Sequence, residues 1–180
     1  MLQRDEPSAV GGESGLGANL VLLARRRLRE KSLQPFRPVL RQLVLSIGDQ
    51  LDPKQIGPMP RNAIVVKRAP QLEVLRRASV CITHAGLNTV LESLAQGVPQ
   101  VAIPLGLDQP AVAARIAAKQ TGVVTSLDKL TPDHLSTLLR EVLNNSTYRD
   151  NARKLQRAIG EANGLSVAAD LVEESLGVTK

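Results

Sequence analysis

The chain has 180 residues, enough for one domain with a sizeable core and too few for two. Hydrophobic residues make up 43% of it, which excludes wholesale disorder; one Tyr, one Phe and no Trp exclude binding faces made of stacked rings, including those that read single-stranded nucleic acid. The net charge of +6 is local, because residues 1–41 hold eight Lys and Arg against four acids while the other 139 hold fifteen against thirteen.

Residues 1–18 are polar and glycine-rich and read as a flexible lead. The glycines of GGESGLG follow no strand and fit no phosphate-loop spacing. Residues 19–32, rich in Leu and Arg, predict a helix that Pro35 and Pro38 stop. Its basic cluster, Arg25, Arg26, Arg27, Arg29 and Lys31, is better read as a solvated face than as a nucleic-acid or anionic-membrane patch, since no nucleic-acid-binding motif accompanies it. Residues 1–38 thus stand apart as an atypical segment, and 39–180 form the regular domain.

In that domain LVLSI (43–47), AIVV (63–66), SVCIT (79–83), QVAIP (100–104) and GVVTS (122–126) are short apolar runs expected as buried strands. Between and after them, helices are expected at 71–77, 89–96, 110–119, 132–143, 147–159 and 166–176. Gly97 suits a helix C-terminal cap, and Pro110 suits a first helical turn. Thr131-Pro132-Asp133 combines a capping hydroxyl with a first-turn proline. Strands alternating with helices predict an α/β fold: a Rossmann-like, mostly parallel sheet with helices on both faces. Cys81, the single cysteine, excludes an internal disulfide and a multi-cysteine zinc site and reads as a small core residue. No stretch is long enough to span a membrane, and the polar, acidic start differs from a signal peptide, so a cytoplasmic protein is the default expectation.

In such sheets ligands sit outside the carboxyl ends of the strands. There the sequence places His84-Ala85-Gly86-Leu87-Asn88-Thr89 after one strand, just where a helix begins. A helix N-terminus offers free N–H donors and partial positive charge to a phosphate, and Gly86 lets the backbone approach closely. Glu92 lies one turn on from Thr89, where a carboxylate suits a hydroxyl pair such as a ribose. Asp108-Gln109, after the next strand, offers acceptors and donors to sugar hydroxyls. Taken singly, each has a structural reading: His84 a hydrogen-bonded framework histidine, Thr89 and Glu92 helix surface, Asp108-Gln109 a helix cap, and His134 a surface residue of a helix first turn. Only the joint pattern points to a site.

The run Arg68–Gln109, with APQ (69–71), THAGLNT (83–89), Glu92, GVP (97–99), Pro104 and Asp108-Gln109 in order, resembles the donor-binding signature of UDP-dependent glycosyltransferases. General similarity extends from about Val44 to the C-terminus, nearest to the bacterial macrolide and zeaxanthin glucosyltransferases. The resemblance implies one half of a GT-B fold, the C-terminal, donor-binding half. It implies that Ala69 and Gln71 bond the uracil edge and that Glu92 holds the ribose. His84, Gly86, Asn88 and Thr89 cradle the diphosphate, and Asp108 and Gln109 hold the hexose. It implies no metal and no cofactor beyond the UDP-sugar, and a general base in an acceptor-binding half, or separate subunit, that 180 residues cannot also contain. No catalytic residue is therefore assigned here. Arg68 stands where many relatives stack an aromatic ring on the uracil; a guanidinium plane can stack too. The opening strand and Ser-x-Gly turn of relatives have no counterpart in residues 1–41. Two alternatives stay open: a non-catalytic nucleotide-sugar-binding subunit of a two-chain transferase, and a degenerate remnant.

Overall fold

The computed structural model describes residues 22–23, by backbone alone, 42–49 and 61–177. The expected flexible lead, the basic cluster and Pro35 and Pro38 lie outside these residues. Three strands, β4 (Cys81–Thr83), β5 (Gln100–Ala102) and β6 (Gly122–Val124), pair side by side and parallel in that order. β1 (Leu22–Leu23) adds antiparallel to β4. A second parallel ladder joins β2 (Leu43–Ser46) to β3 (Ala63–Val66), and β1 also lies beside β2. The helix expected over 19–32 is corrected at Leu22–Leu23, which form this strand. A short leucine run fits either period, and pairing with β4 decides between them.

Parallel neighbours need crossovers, and helices supply them. Between β4 and β5 runs α2 (Leu87–Ala95), and between β5 and β6 runs α3 (Gln109–Ala118). α1 (Gln71–Leu75) precedes β4; α4 (Pro132–Asn144), α5 (Ser146–Glu161) and α6 (Gly164–Ser175) follow β6, after a single 3-10 turn at Leu127–Lys129.

Strand residues alternate between two buried faces, which is why the strands read as continuous apolar runs. Ile82, Val101 and Val123, with Leu43 and Leu45 of β2, pack against Leu138, Leu139 and Val142 of α4. On the opposite face Ala102 packs with Val90 and Leu94 of α2, Val112, Ala113 and Ile116 of α3, and Ala152 of α5. The α4 residues fall at the i, i+3, i+4, i+7 spacing of one helix face when Leu135 is included. Thr131 caps that helix by accepting from the His134 N–H at 3.2 Å, with Pro132 in the first turn, as the sequence predicts. Gly97, at φ 64, ends α2: its N–H reaches Leu94 O, and the Val98 N–H reaches Ser93 O. No residue of α6 is buried, and Leu165, Leu171, Val172 and Leu176 stay exposed.

Candidate functional site

β4 and β5 end side by side, Thr83 opposite Ala102, with the Ile103 N–H donating to Thr83 O at 2.8 Å. The two loops that follow them therefore leave the same edge of the sheet from roots roughly 5 Å apart. After β4 the chain turns sharply through Ala85. This residue is fully buried, has a left-handed φ of 67, and is held by its N–H donating to the Thr83 hydroxyl at 3.1 Å. Gly86 then caps α2. A Cβ at Gly86 would lie 2.6 Å from Nε2 of His84, so the imidazole lies directly over the Gly86 backbone and any larger residue there would have to push the ring aside. No side chain caps α2, and among the described residues nothing accepts from the N–H groups of Leu87, Asn88 and Thr89. The positive end of the α2 dipole thus opens at this edge beside the exposed Asn88.

One turn along α2, Gln71 at the start of α1 binds the helix from the side. Its Nε2 donates to Glu92 Oε2 at 2.5 Å and to Thr89 Oγ1 at 3.3 Å. Three residues that the sequence picks out, Gln71, Thr89 and Glu92, are so brought into one hydrogen-bonded group. Ala69, half-buried, lies two residues before Gln71, ahead of Pro70, the N-cap of α1. Arg68 reaches across to Asp49, beyond the end of β2, and both its Nε and Nη2 donate to the carboxylate. The pair is exposed, 83% and 54% at the side chains, and the Asp49 hydrogen bond raises the Arg68 pKa above its usual range.

After β5, Gly106 to Gln109 form a turn closed by the Gln109 N–H on Gly106 O at 3.2 Å. Leu107, its first central residue, has φ 57, a left-handed value that glycine normally takes there; for leucine it costs about 1–2 kcal/mol. Leu107 is also 94% exposed. Gln109 Oε1 accepts from the N–H groups of Leu105 at 2.8 Å and Gly106 at 3.2 Å. Asp108 is the N-cap residue of α3. Its carbonyl accepts from Ala111 and Val112, while its exposed carboxylate makes no capping bond.

A separate cleft of about 480 Å³ lies between the β6 edge, α4 and α5, lined by Gly122, Val123, Leu138, Glu141 and Tyr148 among others. It holds none of the sequence-predicted residues. Its clearest polar group, Tyr148, donates to Glu141 at 2.6 Å, and that bond raises the phenol pKa. Converging polar groups mark a site better than volume does, so the carboxyl edge is the candidate. Sequence reasoning missed Asp49, Leu107 and the inward role of Gln109, and it misplaced His134. That residue is half-buried, with Nε2 3.0 Å from the Thr125 hydroxyl. Among the described residues no cluster of His, Cys, Asp and Glu could hold a metal ion, and no helix is long and apolar enough to cross a membrane.

A family model described as UDP-glucoronosyl and UDP-glucosyl transferase matches residues 40–160. The chain is 36% identical over 135 residues to YojK, an uncharacterized UDP-glucosyltransferase of Bacillus subtilis, covering 75% of this chain and 33% of that protein. It is 35% identical to the zeaxanthin glucosyltransferase of Pantoea ananas, covering 74% of this chain and 31% of the relative. The crystal structure of the calicheamicin glycosyltransferase CalG4 superposes with a TM-score of 0.71 at 35% identity, over 74% of this chain and 35% of the other. Os79 of O. sativa, solved in complex with UDP, superposes with a TM-score of 0.57 at 28% identity, over 63% of this chain and 28% of that one. The solved neighbours are GT-B glycosyltransferases, so the fold is the Rossmann-like α/β architecture of that class. The chain spans about one third of the length of the curated relatives it matches.

Proposed function

Because this chain belongs to the UDP-glucoronosyl and UDP-glucosyl transferase family, we propose that it is a donor-binding half that grips a UDP-sugar at the carboxyl edge of β4 and β5. One observation carries the reading: the start of α2, which no side chain caps and whose N–H groups at 87–89 are unpaired among the described residues, follows β4 at the same sheet edge from which the Asp108-Gln109 turn leaves β5, one turn before Glu92 and its Gln71 partner. A diphosphate bound there would accept from those N–H groups and from Asn88, with His84 donating over Gly86. Glu92, already aligned by Gln71, would take the ribose hydroxyls, and the Ala69–Gln71 segment the uracil edge. The edge-on pairing of Arg68 with Asp49 leaves the flat faces of the guanidinium available to stack on that base. Asp108 and Gln109 would meet the hexose.

In the proposed reaction an acceptor hydroxyl attacks the anomeric carbon, the bond from that carbon to the diphosphate oxygen breaks, and UDP leaves. Negative charge grows on the leaving oxygen, and donors fixed at the α2 terminus stabilise it without rearranging. The acceptor's proton needs a base, and this chain is assigned none; the base belongs to an acceptor-binding half or separate subunit. The chain alone therefore binds UDP and transfers sugar poorly. The protein acts in the cytoplasm, with the UDP-sugar as its small-molecule partner and without a metal cofactor.

Calorimetric titration of UDP, UDP-glucose and TDP-glucose into the chain tests this reading. UDP-glucose should bind, and Asn88→Ala and Glu92→Ala should each weaken it about tenfold. A chain that takes up no UDP is the degenerate remnant instead.

A further inference from the structure

We infer that the amino end of the central sheet, opposite the candidate site, is a docking face for an anionic lipid surface, held there by charge. The inference is independent of the donor-binding reading above.

Charge is divided along the strand direction. The segments that lead into β4, β5 and β6 are residues 76–79, 95–98 and 119–121, and residues 149–157 of α5 lie across them. Together they hold seven Lys and Arg against one acid, Asp150, while the other described residues hold six against eleven. Hydrogen bonds bring these stretches to one end: Arg149 donates to Ser79 O, Asn151 to Gln120 O and Gln156 to Ala95 O. A Cβ at Gly97 would lie 3.2 Å from Cγ of Arg153, so that side chain runs over the same turn. Arg76 is matched by Glu73 at 2.7 Å. Arg77, Lys119, Arg149, Arg153, Lys154 and Arg157 make no ion pair among the described residues. All but the half-buried Arg149 are exposed.

Helix chemistry accounts for only part of this cluster. Arg77 and Lys119 follow the ends of α1 and α3, where the helix dipole favours a cation. The α5 residues stand in the opposite relation. Arg149 lies near the amino terminus of its helix, where a cation is disfavoured. Arg149, Arg153 and Arg157 also follow one another at the i, i+4 spacing at which like charges repel. Burial first, and then the charge of Arg153, lowers the Arg149 pKa, with Asp150 acting the other way. A stripe that repels itself in the isolated chain is relieved by counter-charge from outside it.

The layout of the cluster favours a flat partner. Its cations come from three helical elements around one end of the sheet, and none of them lines the cleft beside β6. The same segments contain no aromatic ring to stack on a base. An anionic bilayer meets a spread of Lys and Arg without shape complementarity, at roughly fivefold in affinity per cation. Docked by this end, the chain points the start of α2 away from the surface, and the carboxyl edge stays open.

Co-sedimentation of the full chain with vesicles tests the inference. Vesicles of phosphatidylcholine with about one third phosphatidylserine should retain it at about 0.1 M salt and release it at about 0.5 M. Phosphatidylcholine alone should not retain it. A variant carrying Arg153→Gln, Lys154→Gln and Arg157→Gln should lose about 100-fold in vesicle affinity. Arg77→Gln with Lys119→Gln, on other elements, should lose about 20-fold. Both should keep the parent urea midpoint, since these side chains are exposed. Arg25→Gln, Arg26→Gln and Arg27→Gln together remove as much charge from elsewhere in the sequence and should cost less than about fivefold. A parent chain that ignores the anionic vesicles overturns the inference. So does binding that survives loss of the α5 charges but not of those at 25–27. Retention by duplex RNA and not by vesicles would make the partner a nucleic acid and overturn the lipid assignment.

Discussion

The two ends of the central sheet are built from the same strands and treated in opposite ways. At the amino end the turns are closed. Gly97 and Gln120, both at positive φ, sit in helix ends whose N–H groups return to Leu94 O and Ala117 O, and the following Val98 and Thr121 return to Ser93 O and Ile116 O. Side chains of α5 then cover carbonyls there: Arg149 donates to Ser79 O, Asn151 to Gln120 O and Gln156 to Ala95 O. At the carboxyl end, among the described residues, Gln109 and Thr83 satisfy single loop amides, but no side chain caps α2. The first N–H groups of α2 are unpaired among the described residues, Ala85 and Leu107 carry backbone strain, and Leu105 and Leu107 face solvent. A fold that satisfies its polar groups at one end and leaves donors open at the other marks the second as the end meant for a ligand.

Substitutions at the two ends should therefore separate stability from binding. Gly122→Ala has the largest expected effect, because a Cβ there would meet the Gln100 carbonyl oxygen of the paired strand at 2.0 Å. It should lower the unfolding free energy by about 3 kcal/mol in urea denaturation. Glu92→Ala, at the other end, should cost about tenfold in UDP affinity by calorimetry and little in stability. Arg149→Met removes the cap on Ser79 O from a half-buried guanidinium whose pKa burial already lowers. A loss of about 1–2 kcal/mol in unfolding free energy, with UDP affinity unchanged, is expected. Cys81, the first residue of β4, is fully buried, and burial pushes its thiol up to about 11 from an ordinary 9.0, partly opposed by Ser93. The folded state thus holds the proton that the unfolded state releases, so this contribution is whole below pH 9 and is lost as pH rises toward 11. Cys81→Ala should flatten that alkaline decline relative to the parent chain when urea midpoints are compared across pH. Arg68→Ala, which breaks only an exposed pair with Asp49, should leave stability unmoved in the same assay.

Much of this was legible in the sequence where the physics is local. The apolar runs at 43–47, 63–66, 79–83, 100–104 and 122–126 each contain a strand, and Thr131-Pro132 starts α4. Boundaries slipped for a physical reason: Val80 and Ile103 are buried core residues beyond the ladder, so apolar character outlasts strand pairing. α2 begins at Leu87, two residues ahead of the expected Thr89, because Gly86, with an extended backbone, takes the cap. What could not be read depended on partners distant in sequence. Arg68 meets Asp49 nineteen residues away, Arg149 meets Ser79 seventy residues away, and Leu22–Leu23 turn to strand against β4. The predicted site residues gather at one edge, but whether an amide points outward or, as in Gln109, back into its own loop is a matter of rotamer that no motif encodes.

The contrast between the two ends is tested most directly by following backbone amide resonances while UDP is added to the full chain. The amides of Leu87, Asn88 and Thr89 should shift in a saturable way, with Gly97, Gly122 and Thr121 still. Shifts confined to the amino end, or none at saturating UDP, would contradict a nucleotide site at the opening of α2.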